Sequence, residues 1–174
     1  MMEIEERATA IARSELFQEV PDTLVRRLAE MAEVQEITAG DVLSEQGDVR
    51  DKLGLVVEGK IAVSAVINGL EIVVNIHDPG AWLRLFALTG NRPTEGRFRG
   101  AFPGRVLWLD GVETRRLLEQ EPEVGFVVMT RVATLIGDRY CILMQGIRRG
   151  LREEWKGLEK QLSQQQALQK HTKG

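Results

Sequence analysis

The sequence predicts a mainly β domain, a sandwich, jelly roll or barrel, with helices at both ends. Three observations carry this expectation. Between Val34 and Asp110 apolar residues alternate with polar or small ones, the period of a half-buried strand. Glycines recur at 40, 47, 59, 69, 80, 90 and 100, and turn residues every ~8–12 positions mark a sheet folding on itself, not alternating βαβ units. On either side, apolar residues return every three or four positions, the helical repeat.

Taken in order, residues 3–33 read as two helices. Ile4, Ala8, Ile11, Ala12 and Leu16 form one stripe, and Leu24, Leu28 and Met31 form another after Pro21. Asp22 or Thr23 is the expected cap, with Pro21 just outside. The strand region is clearest at KIAVSAVI, where Ile61, Val63, Ala65 and Ile67 share a face. EIVVNIH follows across Asn68-Gly69, a pair that tolerates positive φ and so closes a hairpin. VETRRLLEQE then gives a short helix, and Pro122 opens a longer one.

That last helix carries Val132, Ile136, Tyr140, Leu143, Ile147, Leu151, Trp155, Leu158 and Leu162 in one line, with Val128, Leu135 and Ile142 beside it. Unbroken to Leu162 it would run about 60 Å at ~1.5 Å per residue. An apolar stripe of that length needs a partner along its course. Homodimerisation through Val132, Ile136, Leu143, Ile147 and Leu151 is one expectation. A break at Gly146 or Gly150, with the two halves folding back on the domain, is the other. The boundary is therefore set at 145/146, giving a domain over 1–145 and a helical extension with a Gln- and Lys-rich tail over 146–174.

The bulk numbers bound the function. A chain of 174 residues, 43% hydrophobic and 28% charged, has the make-up of one globular domain. A net charge of −3 gives no general attraction for nucleic acid or acidic lipid. No apolar run reaches the ~20 residues of a membrane span, and the acidic amphipathic start lacks a signal-peptide core. One cysteine, Cys141, excludes an internal disulfide and fits a reducing cytoplasm.

The order of elements, with the segments ELFQEVPDTLVRRLAEMAEVQEITAGDVLSEQGD (15–48), LGLVVEGKIAV (53–63), IHDPGAWL (76–83) and RVLWLDGVETRRLLEQEPEV (105–124), resembles the cyclic-nucleotide-binding domain family. That family includes the sensor halves of catabolite-activator and fumarate-nitrate type regulators and the regulatory domains of gated channels and kinases. The resemblance spans roughly residues 15 to 140. It implies a double-stranded β-helix, a jelly-roll-like roll of eight strands, followed by a short and a long helix, and a non-catalytic regulatory role.

The family binds its ligand through a cassette after a Pro-Gly turn: an aromatic pair, Gly-Glu, a helical turn, then Arg followed by Ser or Thr. Its Glu holds the ribose and its Arg the cyclic phosphate. Alignment on Pro79-Gly80 places Trp82 and Leu83 at the aromatic pair, Arg84 at the Gly and Leu85 at the Glu. Thr94 falls at the Arg, and Glu95 at the Ser or Thr. The cassette keeps its length and loses both anchors. At about 1.5–3 kcal/mol per charge-assisted hydrogen bond, their loss costs on the order of 3–6 kcal/mol, a hundredfold to more than ten-thousandfold in affinity. Glu95 would add repulsion.

Usual binding of cAMP or cGMP is therefore expected to be absent, leaving dimerisation and protein–protein contact as the mode of action. The alternative is a sensor that holds a cyclic nucleotide or another small anion through Arg84. The same side chain could instead fill the space and pair with Glu95. Arg97 and Arg99 share the strand face opposite Phe98 and should point away from the pocket.

Other chemistry finds little support. A cupin-like metalloenzyme needs several histidines, and the chain has only His77 and His171. His77, beside Asp78 and the Pro-Gly turn, reads as a surface residue. Cys141 within a helix reads as a small buried hydrophobe, so haem ligation by either is disfavoured. No P-loop, dinucleotide fingerprint or nucleophile elbow is present. The basic residues Arg148, Arg149, Arg152, Lys156 and Lys160 alternate with Glu153, Glu154 and Glu159, a solvated helix face instead of a phosphate-reading one. The expectations are thus no cofactor, no metal, no membrane and no nucleic-acid partner.

Overall fold

A computed structural model describes residues 2–67, 69–90, 93–94 and 96–145. Two helices, α1 (Ile4–Arg13) and α2 (Asp22–Met31), precede six strands: β1 (Glu33–Ile37), β2 (Val42–Ser44), β3 (Lys52–Ile67), β4 (Leu70–His77), β5 (Trp82–Leu83) and β6 (Arg97–Asp110). A single 3₁₀ turn, η1 (Leu85–Leu88), lies between β5 and β6, and α3 (Gly111–Gln120) follows. Residues 122–145 are helical. The chain divides into two compact units, Met1–Val132 and Ala133–Gly174. No described helix is long and apolar enough to cross a membrane.

All strands pair antiparallel, in the order β1-β6-β3-β4, with β2 on β6 and β5 on β3. The expected eight short strands are six because β3 and β6 stay hydrogen-bonded through the bends of the roll. Register shifts between Val56 and Ile61 take up the curvature, as bulges do. The bends demand glycine: a Cβ on Gly104 would stand 2.0 Å from the Glu58 carbonyl oxygen, and one on Gly100 2.3 Å from that of Thr38. The other six glycines of the ten-residue beat all have positive φ.

The ladder sorts side chains onto two faces. Leu53 opposes Leu109 and Leu55 opposes Leu107; all four are buried on the side where α2 and α3 lie against β6. The opposite face forms the interior of the roll, where Ile37, Leu43, Val56, Ile61, Val63, Leu83, Phe98, Val106 and Trp108 cluster. Burying a large apolar side chain contributes about 1.5–3 kcal/mol, so this interior is a main support of the fold.

The helix ends follow local chemistry, with one departure. A capping box between Glu3 and Glu6 opens α1, and Asp110 caps α3 by accepting from the backbone N–H groups of Val112 and Glu113 at 2.9 and 3.0 Å. Neither Asp22 nor Thr23 caps α2. Pro21 occupies the cap position, where its missing N–H costs nothing and Asp22 faces the positive end of the helix.

Two further expectations are corrected. His77 is buried, because it ends β4 opposite Ile61 inside the sheet, and so is no surface turn residue. Cys141 is exposed on its helix. A third feature was not foreseen: β4 is the sheet edge, and every residue of it except His77 is exposed, including Ile72, Val74 and Ile76.

Candidate functional site

The cassette segment reaches the roll through β5, whose two residues part company. Leu83 opposes Gly54 and enters the interior. Trp82 opposes Leu55 and packs on Phe17, ring centroids 5.4 Å apart. Trp82, expected at the ligand pocket, therefore braces the helical side instead. Leu85, at the position of the family's Glu, opens η1 and is buried.

Arg84 precedes η1 in the left-handed conformation, φ 57° and ψ 46°. That conformation suits glycine, and a side chain there costs of order 1 kcal/mol or more. Its guanidinium offsets the cost by turning inward: Nη1 donates to Ser44 Oγ at 3.0 Å and Nη2 to the Arg50 carbonyl oxygen. Burial pushes the pKa of Arg84 down, and the neighbouring Arg50 adds to this, while Asp48 and Asp51 act in the opposite sense.

Thr94 closes the same corner. Its backbone N–H and its hydroxyl both donate to the Asp48 carbonyl oxygen at 2.9 Å, and its own carbonyl accepts from Gly47 N–H at 2.7 Å. Ser44 Oγ, with Arg84 on one side, lies 3.5 Å from Thr94 Oγ1 on the other. The hydroxyls of Ser44 and Thr94 and the backbone groups of Gly47, Asp48 and Thr94 thus find partners within the corner. Glu95 lies outside the described residues.

The face assignment of the following strand holds. Phe98 is buried in the interior, whereas Arg97 lies outside, donating to Glu45 at 2.6 Å and to Glu71 at 3.0 Å. A hydrogen bond from Ser64, then the charges of Arg97 and Arg99, hold the Glu71 carboxyl below its ordinary range.

A cavity of about 230 Å³ opens beside this corner, lined by Glu33, Gln35, Leu43, Arg50, Lys52, Arg84 and Trp108. Trp108 lies over Gly54, where a Cβ would meet the indole at 2.7 Å, and its Nε1 donates to Gln35 Oε1 at 2.8 Å. The volume falls below the roughly 300–1,000 Å³ of most small-molecule pockets. The sequence reading named only Arg84 among these residues; opposition of Glu33 and Gly54 to Trp108 in register was the missing signal.

Arg115 fixes the cassette from beneath. It holds both Asp51 oxygens, at 3.2 and 3.0 Å, and also donates to the Ala87 carbonyl oxygen of η1. Among the described residues no cluster of His, Cys, Asp and Glu could hold a metal.

On the last helix, Val132, placed on the dimer stripe by its spacing, is fully buried within the first unit. Ile136 is half-buried, and Leu143 is exposed with Tyr140 and Ile142. Ile147 and Leu151 lie outside the described residues.

A roll of antiparallel strands with a 3₁₀ turn after Pro79-Gly80 and α3 behind it is a jelly-roll-like fold of the kind regulatory domains use. The sequence profile described as Cyclic nucleotide-binding domain matches residues 34–121. The chain belongs to that family. No curated protein matches it. Among solved structures it is similar to the N-terminal domain of a transcriptional regulator from Streptomyces coelicolor A3(2), with 22% identity, TM-score 0.65, and 74% of this chain and 91% of that one covered. A cyclic nucleotide-binding domain from Methylobacillus flagellatus KT gives 21% identity and TM-score 0.70 over 83% and 82% of the two chains. The sensor domain of the transcriptional regulator DNR from Pseudomonas aeruginosa gives 11% and 0.69 over 80% and 95%. At these identities the likeness establishes the fold.

Proposed function

We propose that this chain is a non-catalytic regulatory domain that has given up the family's mode of binding cAMP and cGMP and acts through contacts with protein, its own second copy first. One observation carries the reading: the two anchoring positions of the cassette hold Leu85, which is buried, and Thr94, whose hydroxyl is bonded to the Asp48 carbonyl. Neither can grip a ribose or a phosphate. The interior beside them is filled by Val63, Leu83 and Phe98.

Two apolar surfaces support action by contact. The helix over 133–145 exposes Tyr140, Ile142 and Leu143, and the β4 edge exposes Ile72, Val74 and Ile76. Edge strands that carry apolar residues are ready to pair, and contiguous exposed apolar patches mark interaction sites. Calorimetric titration with cAMP and cGMP tests the first half of the proposal: no heat of binding is expected, and sub-micromolar affinity for either contradicts it. Sedimentation of the full chain tests the second: a dimer is expected, and Leu143→Lys should shift it toward monomer.

A further inference from the structure

The cavity at the mouth of the roll has an imbalance that its own residues do not correct. Arg50, Lys52 and Arg84 bring three positive charges to its lining, and Glu33 brings the one negative charge, in a chain whose net charge is −3. Lys52 is answered by Glu33 at 2.6 Å, and Arg50 by Asp48 at 3.3 Å. Arg84 is answered by no acid among the described residues. Of the two carboxylates that act on it, Asp48 faces Arg50 and Asp51 is held by both nitrogens of Arg115. Its partners among the described residues, a hydroxyl and a carbonyl, are neutral. Desolvated cations are ordinarily paired, and a guanidinium has five N–H donors, so bonds to Ser44 and Arg50 leave it able to grip a carboxylate as a fork.

The same cavity has two apolar residues in its lining. Leu43 and Trp108 line the cavity and are themselves buried, and the indole is fixed by Gln35 and by the close approach of Gly54. An aromatic side chain and a guanidinium with no acid partner among the described residues, lining one cavity, suit a flat molecule with one anionic end. The cavity is also small: about 230 Å³ lies below the range of most small-molecule pockets, which suits a compact acid.

We propose that this cavity binds a small planar organic carboxylate, the carboxylate on Arg84 and the ring against Trp108. The site is distinct from the cassette anchors at Leu85 and Thr94, and it would make the domain a sensor of small acids. It extends the regulatory reading without depending on the loss of cyclic-nucleotide binding.

The probes are benzoate, its neutral isostere benzamide and inorganic phosphate, titrated into the full chain by calorimetry and by tryptophan fluorescence. Benzoate should bind saturably in the millimolar range or tighter, with benzamide and phosphate each weaker by about tenfold or more, the worth of one charge-assisted bond. Arg84→Gly, which relieves the left-handed backbone and should fold, is expected to lower benzoate affinity by a similar factor. Glu33→Gln, which removes the acid beside Lys52, should raise it severalfold. Equal binding of benzoate and benzamide, phosphate as tight as benzoate, unchanged affinity in Arg84→Gly, or no benzoate binding each overturns the proposal. Sub-micromolar cAMP binding contradicts the function proposed above and leaves this site standing.

Discussion

The β3–β6 ladder and the cassette that follows β5 treat glycine in opposite ways. In the ladder, Gly54, Gly100 and Gly104 sit where a Cβ would strike an indole carbon or a carbonyl oxygen at 2.7, 2.3 and 2.0 Å, so packing leaves no choice. At position 84 the backbone adopts a glycine conformation with an arginine in it, and the strain is offset by the side chain's own hydrogen bonds. The ladder is constrained by shape, the cassette by what its side chains can bind. On the function proposed above, the first keeps the family's pattern while the second departs from it.

Substitutions can sharpen this contrast. Gly104→Ala should be the most damaging, since the obstacle is backbone: a loss of about 3 kcal/mol or more, at or beyond the upper end for overpacking, read by urea denaturation. Trp108→Ala should cost about 3–5 kcal/mol, typical of a large buried aromatic, because it empties part of the roll's interior. Arg84→Gly should be neutral within about 1 kcal/mol, relief of strain balancing two lost hydrogen bonds. A loss as large as that of Gly104→Ala would erase the distinction between the two regions.

The smallest effect is acid-dependent. Hydrogen bonding to Arg105 holds the Glu58 carboxyl below its ordinary pKa. A group depressed in the fold contributes stability above its unfolded pKa of about 4.3 and loses it as the pH falls through the lower folded value. The pair is partly exposed, so Glu58→Gln should cost at most a few tenths of a kcal/mol at neutral pH. The gap from the unchanged protein should close below about pH 4, as melting curves across pH would show.

Much of this was legible in the sequence. Alternation located the strands, Asn68-Gly69 set the hairpin, with Ile67 paired to Leu70, and Pro79-Gly80 fixed the cassette so that Arg84 fell on a left-handed residue. Alternation also sent Arg97 outward. It did not say which face met the helices, so Trp82 was assigned to the pocket when it packs on Phe17. Helical spacing likewise placed Val132 on the dimer stripe without revealing that the domain itself covers it. The cavity was hidden for the same reason, since Glu33, Lys52 and Trp108 come from three strands far apart in the chain. Edge status, which leaves β4 exposed, is a property of topology and not of the residues of β4.

The central claim is that the roll keeps its architecture while its cassette no longer holds a cyclic nucleotide. Thermal melting of the full chain with millimolar cAMP or cGMP addresses it directly, because a ligand present at a hundredfold its Kd stabilises by about 2.7 kcal/mol. No change in Tm is predicted with either nucleotide; a rise of several degrees with one of them would contradict the account.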